Sequence, residues 1–460
     1  MIVLINLFFI VLIFHQICYF AYLWQLKEYR MDRMRAGLRT RHEIVKVLIS
    51  QFDVRTWWRP KMTVRAACVI MISFTIAFLF WFFVGNGRDR SLLLLILFVP
   101  FIVSFAVLIS TPIFVWQKKC LIHRAAQKME KFNGTVIGVT GSFGKSSTKE
   151  ILAWILSAKF KVIKTKKNVN TAIGIAGTIL NELRVDREDV FIVEMGAYKR
   201  GEIQEICQMV KPKIGIVTGI GDQHLDMFGN LENIKKAKME LIDFLPNENF
   251  RLVAGKDFFE SEVTGLQIYK NKLEFNFHEV HFQAPLLGRQ FVGNILAAIK
   301  TASHLGMTLP EIAVRLADFK NTDIFPKLLS GIRDCVVIDN SYNSSLNSFL
   351  AAIDYLNVWG NYRKIIITPG LIELGKNAQK DHEIVGQKLN MADKVFLTSP
   401  NYYSEMNVYN NVALITKLEV LQKELIKLAD AKTVFLFQGR VGKEVINNLK
   451  RKRWIPDHLL

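Results

Sequence analysis

The chain has 460 residues, room for two or three domains, and a formal net charge of +19 with half of its residues hydrophobic. Much of the positive charge lies in short segments that flank apolar runs. No zinc spacing, helix-turn-helix pattern or aromatic RNA-binding motif stands beside it, which excludes nucleic acid as the expected partner.

Three runs, Met1–Leu26, Ala66–Gly87 and Ser91–Gln117, contain no Asp, Glu, Lys or Arg, and each reaches the roughly 20 residues that cross a bilayer as a helix. Three such runs in the first quarter of the chain read as a transmembrane module rather than as core helices. The first lacks a basic leader and a small-residue cleavage site, so it reads as a retained anchor and not a signal peptide. His15 within it reads as a tolerated semi-polar residue rather than a ligand. Pro100 and Pro112 predict tilt or kinking in the third run. Between Lys27 and Arg65 eleven Lys/Arg face four Asp/Glu, and from Lys118 to Lys131 five face one. The positive-inside rule then puts both segments in the cytoplasm, the N-terminus outside, and everything after Gln117 inside an inner (cell) membrane. The same basic flanks suit anionic lipid headgroups, making membrane lipid an expected partner. The five cysteines (Cys18, Cys68, Cys120, Cys207, Cys335) show no metal or redox spacing, as expected of a reduced cytosolic region.

From Thr135 onward, apolar strands alternate with helical patterns. TVIGV, VFIVEM, KIGIVTGI, CVVID, KIIITPG, KVFLTS and TVFLFQ read as buried parallel strands. STKEILAWILSAKF, NLENIKKAKMELIDFL and NILAAIKTASHLG read as helices between them. The expected class is therefore α/β. The expected organisation is a three-helix transmembrane module (1–130), a central phosphate-loop α/β domain with a parallel sheet (131–325) and a C-terminal Rossmann-like α/β domain (326–460).

VTGSFGKSSTKE, Val139 to Glu150, joins the first of these strands to its helix. Gly141, Ser142 and Gly144 let backbone N–H groups approach an anion; Lys145 supplies a point charge; the hydroxyls of Ser146 and Ser147 open the helix, with Ser146 suited to Mg²⁺. The glycine spacing, G-x-x-G-K-S, is shorter than that of the general P-loop. Glu194 ends the VFIVE strand, where a carboxylate can hold Mg²⁺ against phosphates. His224, in GIGDQHLDMFG, is by itself more often a surface residue; beside Glu194 and Ser146 it is a candidate ligand for a second divalent ion. Lys238, in ENIKKAKMEL, is by pattern alone as readily a solvated charge as a functional lysine.

Seven segments then add a resemblance. TGSFGKSSTKE, NVNTAIGIAGTIL, EMGAYKRGEI, TGIGDQHLDMFGNLENIKKAKMEL, GNILAAI, DNSYNSS and PGLIELG occur in the order found in Mur ligases, and most resemble the UDP-N-acetylmuramoyl-tripeptide:D-alanyl-D-alanine ligase branch. The resemblance implies an ATP-dependent amide ligase. A substrate carboxylate is phosphorylated by ATP, an amine attacks the acyl phosphate, and phosphate leaves. It implies that Lys145 contacts the β/γ-phosphates, that Ser146 and Glu194 hold one Mg²⁺ and His224 a second, and that Lys238 is the lysine the family carbamylates. It further implies that Asn294 contacts adenine, that Asp339 contacts ribose, and that Asn168 and Asn170 face the acyl substrate. The implied partners are a cell-wall or surface-polymer precursor with a free carboxylate and an amino acid or dipeptide amine donor.

The resemblance also exposes departures. Phe325 stands where the family has an Arg that meets ATP phosphates, with Lys327 and Arg333 as candidate substitutes. Asn340 replaces the second Asp of the family's DDSYN pattern, and Gln438-Gly439-Arg440 replaces its Lys-Gly-Ser. Arg289-Gln290-Phe291 precedes Asn294. Three membrane spans stand where the family opens with a soluble uridine-nucleotide domain, which points to a membrane-associated substrate. A poly-γ-glutamate-synthase-like ligase and a non-catalytic nucleotide-binding scaffold remain alternatives.

Overall fold

The computed structural model describes residues 2–36, 45, 47, 49–50, 60–84, 89–166, 169–221, 225–320, 324–342, 345–371, 377–441 and 443–449. The chain divides into two compact units, Met1–His123 and Arg124–Leu460.

The first unit is helical. Ile2–Leu26, Val64–Leu79 with its π-helical extension Phe80–Val84, and Asp89–Met129 carry the three apolar runs. The described stretches Asn6–Leu26, Val64–Phe83 and Leu94–Met129 are each long and apolar enough to cross a bilayer. Pro100 and Pro112 both lie inside the third helix, which continues past Gln117; its 41 residues span about 60 Å at 1.5 Å per residue. Ile17, Ala21, Val69, Leu95, Val99 and Val103 pack at the centre of the three helices, while Phe8, Phe78, Phe101 and Trp116 point outward and stay exposed. His15 and Gln16 are buried within the first helix. Trp24 Nε1 donates to Ser104 Oγ at 3.3 Å, and Arg65 reaches Thr111 Oγ1 at 3.1 Å, so hydrogen bonds tie the first and second helices to the third.

Among its described residues the second unit holds three sheets. The first is fully parallel, in the order β2-β3-β1-β4-β5, from β1 (Thr135–Thr140), β2 (Val162–Lys164), β3 (Val190–Glu194), β4 (Ile214–Val217) and β5 (Phe250–Val253). Its central strands β1, β3 and β4 are buried on both faces, which is why TVIGV and VFIVE read as continuous apolar runs. The second is an antiparallel meander, β6 (Thr264–Ile268), β7 (Leu273–Phe277) and β8 (Val280–Ala284). The third has six strands in the order β13-β12-β11-β14-β10-β9. Here β9 (Lys327–Ser330) is an antiparallel edge beside β10 (Val336–Asn340), and β11 (Arg363–Thr368), β12 (Lys394–Leu397), β13 (Val412–Leu414) and β14 (Thr433–Gln438) complete a parallel core. All seven strands read from the sequence are present and run parallel to one another within these sheets, β10 pairing antiparallel only with the edge strand β9. The meander, the short β2, β5 and β13, and the edge strand β9 were not read.

Candidate active site

β1 lies between β3 and β4, so three strand ends open at one place: Thr140, Glu194 and Val217. This is the position at which open parallel sheets receive ligands. From Thr140 the chain turns into the helix Lys145–Leu156, whose N-cap Gly144 has φ 80°. A Cβ on Gly144 would lie 2.4 Å from Asn294 Oδ1, so conformation and space both demand glycine. The same Asn294 oxygen accepts from Thr148 Oγ1 at 3.2 Å. Asn294 is thereby brought against the phosphate loop from the helix Val292–His304, almost 150 residues away in sequence. Ser142 ties the loop to the end of β4: its N–H donates to Gly219 O at 2.6 Å and its hydroxyl to Gly221 O at 3.0 Å. Ser147 stands in the first turn of the helix.

Lys145 Nζ donates to the carbonyls of Gly141 (2.7 Å) and Ser142 (3.1 Å). Desolvation pulls its ammonium below the usual lysine range, and Glu194 opposes that pull. Glu194 is 2 % exposed. Its Oε2 accepts from Ser146 Oγ at 2.9 Å and from Lys149 Nζ at 3.1 Å, and its Oε1 from Asn170 Nδ2 at 3.4 Å. Phosphate loop, strand-end carboxylate and Asn170 therefore meet in one cluster. Asn170 is held there because its carbonyl accepts the Gly196 N–H at 2.7 Å.

Lys149 is the member of this cluster that motif reading passed over. It is 1 % exposed and lies 3.4 Å from Glu150 as well, which in turn pairs with Lys164. The available signal was spacing: three residues after Ser146 on one helix, it shares that residue's face.

Lys238, on the helix Leu231–Phe244, is 3 % exposed, not a solvated charge. Burial first, then the charge of Lys145, bring its amine down to about 7, against the pull of Glu202 and Glu240. Its Nζ lies 5.9 Å from the centroid of the Phe228 ring. Glu240 accepts the N–H groups of Gly201 and Gln204 at 2.6 and 3.1 Å, capping the helix Glu202–Val210.

His224 and Asn168 lie outside the described residues. Among the described residues, no three of His, Cys, Asp and Glu form a metal cluster. Ser146 and Glu194 nonetheless offer two neighbouring oxygen donors, one anionic and buried, a set that suits a hard divalent ion such as Mg²⁺.

The C-terminal sheet presents its own strand ends. Asp339, half-buried near the end of β10, accepts from the Ser341 N–H at 3.1 Å and the Ser341 hydroxyl at 2.6 Å. The antiparallel register sets Lys327 opposite Asp339. The Phe325 ring stacks on Tyr342 at 5.4 Å with planes 15° apart, and Lys327 Nζ lies 5.0 Å from the Phe325 centroid. Buried Asn340 donates to Gln438 Oε1 at 2.6 Å across the β10–β14 pairing. Arg333 precedes β10 at its amino end and donates to Ile426 O at 3.1 Å, so it does not share an edge with Asp339 and is excluded as the substitute for the missing Arg. A cavity of about 600 Å³ opens between Gly288, Arg289 and Gln290 on one side and Asn347, Leu350 and Tyr355 on the other.

Residues 139–265 match the model of the Mur ligase middle domain. UDP-N-acetylmuramoyl-tripeptide–D-alanyl-D-alanine ligase of Synechocystis sp. is 32% identical over 284 residues, 58% of this chain and 62% of that protein. The Escherichia coli ligase of the same name is 28% identical over 342 residues, 65% of this chain and 74% of its own. The crystal structure of the MurF ligase of Thermotoga maritima in complex with ADP covers 72% of this chain and 82% of its own at 26% identity, with a TM-score of 0.64. The chain carries a Mur ligase middle domain.

Set against the family pattern, the departures become legible as structure. The Asn340 and Gln438 departures meet in space, because these side chains bond to each other. A neutral amide pair stands where the family pattern has Asp and Lys. The site of the expected Arg is filled by an aromatic stack, with Lys327 as the nearby cation. The relatives' match leaves out more than a third of the Synechocystis protein.

Proposed function

We propose that the chain is a membrane-anchored, ATP-dependent amide ligase of cell-wall precursor synthesis, close in chemistry to the D-alanyl-D-alanine-adding Mur ligases. The observation that carries this reading is the cluster of Ser146, Glu194, Lys149 and Asn170 at the phosphate loop, with the low-pKa Lys238 in the same domain. Lys145 and the loop N–H groups would bind the ATP phosphates, while Asn294 and Asp339 would hold adenine and ribose. Ser146 and Glu194 would hold Mg²⁺, with His224 toward a second ion; when bound, the metal supplies charge neutralisation at the transferring phosphoryl group. Asn168 and Asn170 would orient the substrate carboxylate, which becomes an acyl phosphate and is attacked by the amine with loss of phosphate. Catalysis of this kind is positioning and electrostatics rather than covalent help from the protein.

Lys238 supports carbamylation on physical grounds. Only the neutral amine adds CO₂, and an amine titrating at about 7 is substantially neutral in the cytoplasm. Incubation with ¹³C-bicarbonate is expected to give a carbamate carbon signal that Lys238→Arg lacks; an identical signal in both proteins would remove Lys238 from the role.

The three apolar helices, with Phe8, Phe78 and Phe101 exposed on their outer faces, support three crossings with the N-terminus outside and residues 131–325 and 326–460 as cytoplasmic domains. The acceptor would then be lipid-linked or a growing surface polymer. Full-length protein in nanodiscs, given ATP, Mg²⁺, D-alanyl-D-alanine and either UDP-linked or lipid-linked acceptors, is expected to form a mass-resolved amide with the lipid-linked form. Ligation of the UDP-linked form alone would sink the lipid assignment. A nucleotide-binding scaffold is the second reading, favoured by the Phe325–Tyr342 stack at the family Arg position; phosphate release that needs both acceptor and amine, and disappears in Lys145→Ala, separates the two.

A further inference from the structure

The segment that begins at Pro369 follows β11 at the same carboxyl edge that carries Asp339 and Gln438. Pro369 and Gly370 lie beside Gly439, where an added Cβ would stand in ordinary van der Waals contact, 3.4 Å from Gly370 O and 3.5 Å from Pro369 Cδ. Gly439 N–H donates to Asn340 O at 3.3 Å, next to Asp339, so the segment neighbours the end of β10 through Gly439. Its other side is held by His382, on the helix Ala378–Lys388. This histidine is 1 % exposed and both ring nitrogens are engaged: Nε2 accepts the Leu371 N–H at 2.9 Å, and Nδ1 lies 2.6 Å from Ala378 O. Two such partners define the neutral tautomer with the proton on Nδ1. Tyr402 stacks on the ring at 4.1 Å with planes 13° apart. Gly370, at φ 90°, has no room for a side chain, because its Cβ would sit 2.9 Å from Nε2.

We propose that His382 is a positioning residue that fixes the Pro369–Leu371 segment through its neutral Nε2, and so holds the edge at which Asp339 meets the nucleotide. The Asp339 role rests on the ligase reading above; the contact between His382 and the segment does not. A proton on Nε2 would oppose the Leu371 N–H donor to donor, and the segment would be released.

The surroundings favour the neutral ring. Burial, the larger effect, lowers the His382 pKa, while the Ala378 carbonyl and the Glu405 carboxylate raise it. Glu405, on the neighbouring helix Tyr403–Met406, is itself held low by the Ser404 hydroxyl. Asp381 is the adjacent buried acid, and Asp354 on the packed helix Leu346–Tyr355 lies 3.7 Å from Lys388.

The test uses full-length protein and reads structure and nucleotide separately. Gln places an uncharged acceptor near the Nε2 position, whereas Ala removes it. At pH 7.5, amide exchange in the peptide containing Leu371 is expected to quicken about tenfold or more in His382→Ala and to stay near wild type in His382→Gln. ATP affinity is expected to weaken in wild type as pH falls below the ordinary imidazole range, and the Gln variant to lose that weakening. Unchanged Leu371 exchange in the Ala variant, or an acid limb retained in the Gln variant, overturns the proposal. Exchange that responds while ATP affinity does not would locate the failure in the Asp339 role and the ligase reading; the Gln variant also guards against a misfolded Ala variant.

Discussion

At the scale of single residues, the candidate site is a set of buried charges that must be balanced before any ligand arrives. Lys149 balances Glu194. Removing one partner of a buried pair leaves the other uncompensated, so Lys149→Met is expected to cost about 3–5 kcal/mol in urea denaturation. A loss below about 1 kcal/mol would show that Glu194 is satisfied without it. Lys238 makes the opposite case, a cation that the fold discourages. Its folded value of about 7 lies below the ordinary 10.5. Between those values the unfolded chain binds a proton that the folded chain does not, so this group makes stability rise with pH across that window and removes it as pH falls toward 7. Denaturation midpoints at pH 7.5 and 9.5 are expected to differ less in Lys238→Met than in wild type. Gly144→Ala meets both a left-handed backbone and Asn294. It is expected to cost about 1–3 kcal/mol and to weaken nucleotide binding; isothermal titration with ADP measures the latter.

At the scale of elements, strand ends decide the chemistry. The interiors of β1, β3 and β4 are apolar and the chain turns polar at their carboxyl ends, at Thr140, Glu194 and Thr218 just past β4, and that switch is visible in sequence. Pairing between strands is not. Nothing local to DNSYN or to FQGR indicates that Asn340 and Gln438 touch across β10 and β14, so the two departures looked like independent losses. A double-mutant cycle tests the coupling. Asn340→Asp and Gln438→Lys are each expected to destabilise by about 3–5 kcal/mol, as lone buried charges, while the double variant recovers at least about 2 kcal/mol. Additive losses would show that the pair is not a unit. The meander β6–β8 escaped reading for another local reason. Its second turn is made by His278 and Glu279 at φ 44° and 63°, not by the Asn-Gly or Asp-Gly that announces a hairpin. The alternation of LEFNF and VHFQA was there, but no turn signal framed it.

At the scale of the whole molecule, the chain is two compact units, and the second contains every described candidate residue. Residues 124–460 alone are therefore expected to keep ATP binding and to lose flotation with liposomes, whereas the full chain floats; flotation of the truncated chain would assign membrane attachment to another surface. The sequence by itself determined what depends on neighbours along the chain. It determined the apolar runs long enough to span a bilayer, the glycine-lysine loop that precedes a helix, and the parallel strands whose burial on both faces leaves them uniformly hydrophobic. Only the tertiary structure decided what depends on neighbours in space: that Lys149 rather than solvent faces Glu194, that Asn294 closes on Gly144, that Arg333 lies at the wrong end of β10, and that Asn340 answers Gln438. The physical reason is that periodicity and turn chemistry are local, whereas the pairing of buried polar groups is enforced by desolvation, and desolvation depends on which distant segments the fold brings together.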